Sequence, residues 1–355
     1  MIYRVVDRKK AIISLLAFVA VAVAAAVFCV FSVCLPAFAV QQQEKKTDYI
    51  KYVEFNVPYS ALQKALELDI QAHEEGRERG WVETLAYLAA KYGGEFSRYK
   101  SRDMDALMEK LDAGETMESL TKDMKYYGYF YEAYSAILGG MVGEYKVQAP
   151  SEDDPEKTVW KEKYGLIAYS PIAKNYPFDH YDDFGSQRTY GFSRQHTGHD
   201  LMAATGTPVI AVESGTVEVL GWNQYGGWRI GIRSFDKKRY YYYAHLRKNR
   251  PYAEGLKEGQ TVKAGDVIGY VGRTGYSMTE NTNNIEVSHL HFGLELVFDE
   301  SQKESNNEIW VDLYPLTMLL NSHKSEVYKV EETKEYYRKY DIEIPGVPPQ
   351  TKKNN

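Results

Sequence analysis

The sequence predicts an α+β protein that consists of an N-terminal transmembrane helix, a small all-α module and an antiparallel β-sheet domain. Three observations lead to this fold class. Residues 11–40 are almost continuously apolar, apolar residues recur at helical spacing between 57 and 145, and short glycine-bounded runs rich in Val, Ile and Tyr follow from about 164. A period of about 3.6 residues is typical of a helix with one buried face, and short β-branched or aromatic runs are typical of strands.

Four basic side chains precede the apolar run 11–40, which exceeds the ~18 residues that can span a bilayer. The positive charge predicts a cytoplasmic N-terminus and export of everything after about residue 41. Ala37-Phe38-Ala39 also fits signal-peptide cleavage, which would give a secreted protein cut near Ala39. The apolar core is longer than the ~7–15 residues of a usual signal peptide, so we favour a retained single-pass anchor over 1–40. A polar linker is expected at 41–56.

Composition limits the classes of function. The chain has 355 residues, a formal net charge of −6 and a pI of about 5.8. An acidic chain without a basic block beyond its N-terminus argues against a nucleic-acid partner. Both cysteines, Cys29 and Cys34, lie in the apolar run. The rest of the chain therefore has no disulfide and no thiolate ligand, and a metal would have to be held by histidine and carboxylate.

Residues 57–147 are predicted to form the helical module. Pro58 stands where the first turn of a helix tolerates proline, and apolar stripes predict the helices that follow. These are Trp81–Tyr92, Ser101–Leu111, Thr116–Tyr127 and Tyr131–Leu138. Glu95, after a glycine pair, would be the candidate acid of a second enzyme similar to lysozyme-like transglycosylases, but a lone Glu there is typical of a loop. We favour a spacer or a module that binds a protein partner.

A polar, acidic and proline-containing stretch at 148–163 is interpreted as a second linker. The β domain follows at 164–300, and glycine-bounded runs predict its strands. The predicted strands are Val209–Val212, Gly215–Leu220, Trp228–Arg233, Arg239–Ala244, Asp266–Val271 and His289–Val297. Residues 301–355 are expected to form a C-terminal extension with a short helix near Leu313–His323 and a loose tail.

The candidate site residues fall in three short phrases within the β domain: His196-Thr197-Gly198-His199-Asp200, Tyr243-Ala244-His245-Leu246 and His289-Leu290-His291-Phe292. Residues i and i+2 of a strand point to the same face, so two imidazoles project side by side in the third phrase. Histidines and a carboxylate without cysteine are typical of a hydrolytic zinc site with an open position for water. Three ligands would leave two histidines to move protons and stabilise an oxyanion.

The order and spacing of these phrases resemble the lysostaphin/LytM-type family of zinc endopeptidases. Glycine-containing segments such as Gly206-Thr207-Pro208-Val209 and Gly265-Asp266-Val267-Ile268-Gly269 also resemble this family. The resemblance covers about 164–296. It implies a LytM-type antiparallel β-sheet domain with a groove and one zinc ion per domain. It also implies hydrolysis of peptide bonds in bacterial peptidoglycan.

Carried over position by position, the resemblance implies that His196, Asp200 and His291 are the metal ligands and that His245 and His289 are catalytic. The residues alone leave the division within the His289/His291 pair open. His199 departs from the family pattern, in which an apolar residue is usual, and receives no role from it.

Several aromatic and polar residues are candidates for the groove. Alternation along a strand sends Tyr241 and Tyr243 to one face and Tyr240 and Tyr242 to the other. One of these pairs could border a groove, although ordinary sheet packing explains the tyrosines equally well. Asn223 and Tyr225, in a glycine-rich loop, are further candidates.

The sequence therefore favours a membrane-anchored zinc metalloendopeptidase that hydrolyses cross-bridge or stem peptides of peptidoglycan. The alternative is a catalytically silent wall-binding or scaffold protein that recruits a partner through its helical module. The sequence does not distinguish which bond would be cut.

Overall fold

The computed structural model describes residues 49–191 and 193–348. The predicted anchor at 1–40, the first half of the predicted linker at 41–56 and the last seven residues lie outside the described part. Within the described ranges, no helix is both long enough and apolar enough to cross a bilayer.

The helical module forms largely where the apolar stripes predict it. Its helices are α1 (Tyr59–Glu74), α2 (Trp81–Tyr92), α3 (Ser101–Asp112), α4 (Met117–Thr121) and α5 (Tyr127–Leu138). Pro58 immediately precedes α1, and Gly93 ends α2 in the left-handed conformation with φ of 66°, which glycine adopts without steric cost. A capping box between Thr116 and Ser119 starts α4. This helix is shorter than predicted, and α5 begins four residues earlier than predicted.

A β-hairpin occupies most of the predicted linker at 148–163. Strand β1 (Val142–Pro150) pairs antiparallel with β2 (Thr158–Leu166) over their whole length. Only the polar, acidic segment between Pro150 and Thr158 is a turn. The strands escaped sequence reasoning because few of their side chains are fully buried. The polar and apolar residues that alternate along Glu144–Ala149 are the signal that could have predicted β1.

The predicted antiparallel sheet is present and dominates the second half of the chain. Its strand order is β11-β8-β9-β10-β13-β6-β3, and β14 pairs with β13. The strands are β3 (Asp179–His180), β6 (His199–Met202), β8 (Gly215–Asn223), β9 (Gly227–Ser234), β10 (Arg239–Ala244), β11 (Thr261–Val262), β13 (His289–Leu296) and β14 (Ile309–Trp310). Smaller pairs are formed by β4 (Gln187–Arg188) with β5 (Arg194–Gln195), and by β7 (Pro208–Ile210) with β12 (Val267–Tyr270).

The C-terminal extension is more ordered than predicted. Helix α6 (Tyr314–Leu320) lies within the expected helix, and β15 (Val327–Lys329) pairs with β16 (Tyr336–Arg338). Strand β17 (Ile342–Glu343) pairs with β1, and Ile342 is fully buried. The chain is therefore held in place up to at least this strand, because both backbone pairing and burial fix it.

The helical module and the sheet belong to one compact unit that begins at Ile50, rather than to two bodies joined by a linker. A buried arginine joins them. The Arg239 guanidinium on β10 donates to the carbonyl of Ala136 in α5 at 2.9 Å and to Glu213 at 2.7 Å. Carbonyls in the last turn of a helix lack intrahelical donors, so this arginine satisfies α5 while its charge is paired by a carboxylate.

Candidate metal centre and groove

Strand pairing brings three of the predicted site residues together. In the register of β6 and β13, His291 lies directly opposite Asp200, so their side chains leave the same face of the sheet. His196 lies three residues before the start of β6. Its Nε2 lies 2.8 Å from His291 Nδ1 and 3.1 Å from Asp200 Oδ1, and the latter two atoms are 3.2 Å apart.

The donor set and its spacing fit a zinc ion. Tetrahedral ligands at about 2.0–2.1 Å from zinc lie about 3.3 Å from one another, close to the three separations in this cluster. Among the described residues, this is the one group of histidine and carboxylate side chains whose donor atoms converge in this way. Two imidazoles and one carboxylate also leave a fourth tetrahedral position open.

Gly198 permits this approach. A Cβ atom at this position would lie 2.7 Å from the Phe292 carbonyl oxygen and 2.8 Å from the His291 ring. Any larger residue would therefore push β13 away from the segment that carries His196. The glycine between His196 and Asp200 is required by close packing rather than by backbone conformation.

Two residues that sequence reasoning missed orient the ligands. Asp183 places its carbonyl oxygen 3.1 Å and its Oδ2 3.2 Å from His196 Nδ1. Arg188 Nη2 donates to Asp183 Oδ2 at 2.8 Å and to Asp200 Oδ2 at 3.0 Å. Partners of this kind fix the ring orientation of a ligating histidine and leave Oδ1 of the aspartate directed at the metal position.

Interactions within the ligand cluster shift the pKa values of His196 and Asp200 in opposite directions. Burial lowers the pKa of His196, but hydrogen bonds to Asp183 and Asp200 outweigh it and raise the pKa to about 9. Burial would raise the pKa of Asp200, but the surrounding histidines hold it far below its usual range. These interactions favour the charged carboxylate, and a bound metal would take the place of the proton on His196.

The two remaining site histidines each use Nδ1 to bond a backbone carbonyl. His245 Nδ1 lies 2.9 Å from the Thr274 carbonyl and His289 Nδ1 lies 2.8 Å from the Val287 carbonyl. Because a carbonyl can only accept, Nδ1 carries the hydrogen in both and Nε2 is left as an acceptor. The ring centroids of His245 and His289 are 4.8 Å apart, and His289 Nε2 is 3.7 Å from Asp200 Oδ1.

His245 adopts a costly backbone conformation. Its φ is +61°, a region that residues other than glycine rarely occupy and that is enriched at active sites. The turn lets its backbone N–H donate to the Gly226 carbonyl at 2.7 Å. Burial and the neighbouring histidines lower the pKa of His245 well below its ordinary value, so its imidazole is neutral.

The other histidines have different roles. His199 is fully buried on the opposite face of β6, where its Nε2 accepts the Leu313 N–H at 2.9 Å and its Nδ1 lies 3.3 Å from the Tyr181 carbonyl. It therefore fixes the chain before α6. His323 contacts the Ala168 carbonyl, and His180 stacks on Tyr314. His73 stacks on Tyr164 at the surface.

A groove of about 370 Å³ runs from the metal centre along the same face of the sheet. Tyr240 and Tyr242 line it, whereas Tyr241 and Tyr243 are buried in the core, as strand alternation requires. Asn223 and Tyr225 also border it. The groove is thus a polar and aromatic channel with the metal centre near one end.

Comparisons with known proteins identify a peptidase-family domain within this chain. Residues 194–306 match the model of Peptidase family M23. The chain is 41% identical over 124 residues to an L-Ala--D-Glu endopeptidase of Bacillus subtilis, which is 35% of this chain and 36% of the relative. It is 40% identical over 98 residues to lysostaphin of Staphylococcus staphylolyticus, covering 27% of this chain and 18% of the relative.

A solved structure shares the wider fold. A protein of Ruminococcus gnavus, which bears the name of a glycyl-glycine endopeptidase, LytM, superposes with a TM-score of 0.50 at 21% identity. The likeness covers 79% of this chain and 94% of the other, and it concerns the fold alone. Residues 194–306 therefore form a Peptidase family M23 domain, similar to the lysostaphin/LytM type. The chain spans about a third or less of the length of the two curated relatives.

Proposed function

We propose that the protein is a zinc metalloendopeptidase that hydrolyses peptide bonds of bacterial peptidoglycan. The observation that carries the proposal is the convergence of His196 Nε2, Asp200 Oδ1 and His291 Nδ1 at separations of 2.8–3.2 Å. The convergence lies on a groove and beside two further histidines with unused acceptor nitrogens. Membership of a peptidase family supports the same reaction class.

His196, Asp200 and His291 would hold the zinc. A zinc ion bound there supplies Lewis acidity, which polarises a carbonyl and lowers the pKa of water from about 15.7 to roughly 7. Asp183 and Arg188 keep the ligand atoms directed at one point, so little rearrangement accompanies metal binding.

His245 and His289 would handle protons. Each holds a hydrogen on Nδ1 through a carbonyl partner, so Nε2 can accept a proton from water and return it to the departing amine. The protonated form of either ring could also stabilise the oxyanion of the tetrahedral intermediate.

The names of the relatives support a peptidoglycan substrate, because a 32% identical protein of Vibrio cholerae is named a peptidoglycan DD-endopeptidase. One is named for the L-Ala–D-Glu bond, and another, a 39% identical protein of Staphylococcus capitis, for the glycyl-glycine bond. A shallow channel built from one face of a sheet suits an extended peptide. We therefore assign peptide bonds of peptidoglycan as the substrate class, in either the stem or the cross-bridge.

We further propose that the apolar segment 11–40 anchors the protein, with the catalytic domain outside the cytoplasmic membrane. The basic residues before the segment support this orientation. Protease added to intact spheroplasts should remove the catalytic domain, whereas a protected domain would contradict the proposal. A soluble form that begins near residue 40 would instead indicate cleavage.

Zinc content and wall digestion test the catalytic proposal. The full chain should bind one zinc ion and release muropeptides from purified sacculi, and a chelator should abolish the release. Mass spectrometry of the products identifies the bond. His73→Gln, which changes a surface histidine far from the cluster, serves as the matched control. Tight zinc binding without cleavage of any wall preparation would refute the enzyme and favour the scaffold alternative.

A further inference from the structure

The groove continues past the metal centre to a buried carboxylate that the chemistry above does not use. Glu295 lies on the same face of β13 as His291, two alternations further along the strand. Four residues of strand correspond to about 13 Å. Glu295 is 3% exposed and lines the groove together with Glu308.

This carboxylate lacks the partners that a buried charge requires. No hydrogen-bond donor from the described part of the chain reaches Glu295 Oε1. The two cations named as acting on Glu295, Lys303 and Arg233, are paired with other groups. Arg233 donates to Glu218 at 2.8 Å, to the Lys237 carbonyl at 2.7 Å and to Glu300 at 3.1 Å, and Lys303 pairs with Glu218. An uncompensated buried carboxylate is costly, and a cationic partner that binds in the groove would offset this cost.

The channel between the metal centre and Glu295 is open and aromatic. Gly293 lies midway, and a Cβ atom there would lie 2.8 Å from the Trp310 ring. Trp310 and Tyr242 stand edge to face with their centroids 6.1 Å apart, and Trp310 donates to Glu308 at 2.8 Å. The absence of a side chain at 293 lets the indole lie close to the sheet, where it lines the path of an extended peptide and fixes Glu308 beside the channel.

We propose that Glu295 and Glu308 form a subsite for a primary ammonium group of the peptide substrate, an inference that rests on the proposed function. An ammonium group offers three donors on a compact cation, which suits two neighbouring carboxylates at the end of an aromatic channel. The faces of Trp310 and Tyr242 add favourable cation–π attraction along the approach. The group could come from a diamino-acid side chain or from a free peptide amino terminus.

The electrostatics of the subsite agree with a cationic ligand. Burial and then Glu308 raise the pKa of Glu295 to about 7, against the opposing charges of Lys303 and Arg233 and with a further upward contribution from Glu218. An ammonium group would favour the ionised carboxylate. Near pH 7, binding of the cation should therefore release part of a proton, which calorimetry in two buffers of different ionisation enthalpy detects.

Binding of one synthetic peptide in four forms tests the subsite. The probe is Ala–D-Glu–Lys–D-Ala with both amines free, with only the α-amine acetylated, with only the ε-amine acetylated, or with both acetylated. The zinc-loaded full chain should bind the free peptide about ten- to hundredfold more tightly than the doubly acetylated one, as expected for a hydrogen bond between charged groups. The singly acetylated forms show which amine is the source.

Glu295→Gln keeps the size of the side chain and should remove this preference. Glu304→Gln is the matched control, because Glu304 lines the same groove but is exposed. Equal binding of all four forms, no binding of any form, or an equal loss in both variants would overturn the subsite. Muropeptide release, measured on the same samples, reports the proposed function separately. Preferential amine binding without wall cleavage would leave the subsite standing and the peptidase refuted.

Discussion

The two faces of the central sheet carry the same types of residue with opposite uses. On the core face, His199, Tyr241 and Tyr243 are buried, and their polar atoms form hydrogen bonds within the fold. Tyr241 donates to Glu213 at 2.7 Å, and the Tyr243 hydroxyl accepts the Val212 N–H at 3.0 Å. These side chains hold loops and strands in place.

On the groove face, His245, His289 and Asp200 each commit only one of their two polar side-chain atoms to the surrounding fold. His245 and His289 each commit Nδ1 to a carbonyl and retain Nε2. Asp200 commits Oδ2 to Arg188 and directs Oδ1 at two histidines. Adjacent residues such as His199 and Asp200 thus differ in role because strand alternation places them on different faces. The number of unused polar atoms, rather than the residue type, distinguishes a site from a core.

The largest effect is expected when a ligand on the groove face is removed. His291→Ala deletes one of three donors, so the protein should lose bound zinc and with it all measurable wall digestion. Metal analysis after dialysis and muropeptide release measure both effects. Zinc retained at one ion per chain would show that His291 is not a ligand.

The second-largest effect is expected from removal of a catalytic histidine, and it separates proton transfer from metal binding. His245→Ala and His289→Ala should retain zinc but reduce turnover by ~100–10,000-fold, the usual contribution of general acid–base catalysis. Steady-state kinetics on a soluble fragment of the wall, with zinc analysis of the same preparations, measure it. Loss of zinc from His289→Ala would reverse the assignment within the His289/His291 pair.

A smaller effect is expected from the residues behind the ligands. Arg188→Gln removes the bridge between Asp183 and Asp200 and should lower zinc affinity or turnover by about 10–100-fold. Arg188→Lys should recover only part of this loss, because one ammonium group cannot reproduce the planar guanidinium contacts. Competition with a fluorescent chelator gives the affinity. Wild-type values for both variants would show that the bridge is dispensable.

Much of the groove face could be predicted from the sequence. Glycine-bounded runs predicted the central strands, and the three histidine phrases contain all five residues that meet at the site. Alternation predicted that the tyrosines of β10 divide between two faces. Each of these inferences depends on local pattern, and the resemblance to a known family added the roles.

The features that the sequence did not predict depend on long-range packing. Asp183 and Arg188 lie in a segment without regular periodicity, and only its path back over β6 brings them to the ligands. Arg239 joins α5 to the sheet across about a hundred positions of sequence. Few side chains of the hairpin formed by β1 and β2 are fully buried, and its polar, acidic turn is typical of a linker.

The smallest effect on turnover is expected from a substitution on the core face. Such a substitution should lower the free energy of unfolding instead. His199→Ala leaves the buried Leu313 N–H without its acceptor and creates a small cavity, so unfolding should become easier by about 2–4 kcal/mol. Denaturant unfolding measures this change, and the surface change His73→Ala should stay within about 0.5 kcal/mol. The folded fraction of His199→Ala should still bind one zinc ion and turn over within about threefold of the wild type, because the Asp200 side chain leaves the other face. Loss of zinc without loss of stability would mean that the two faces do not divide the roles as the geometry indicates.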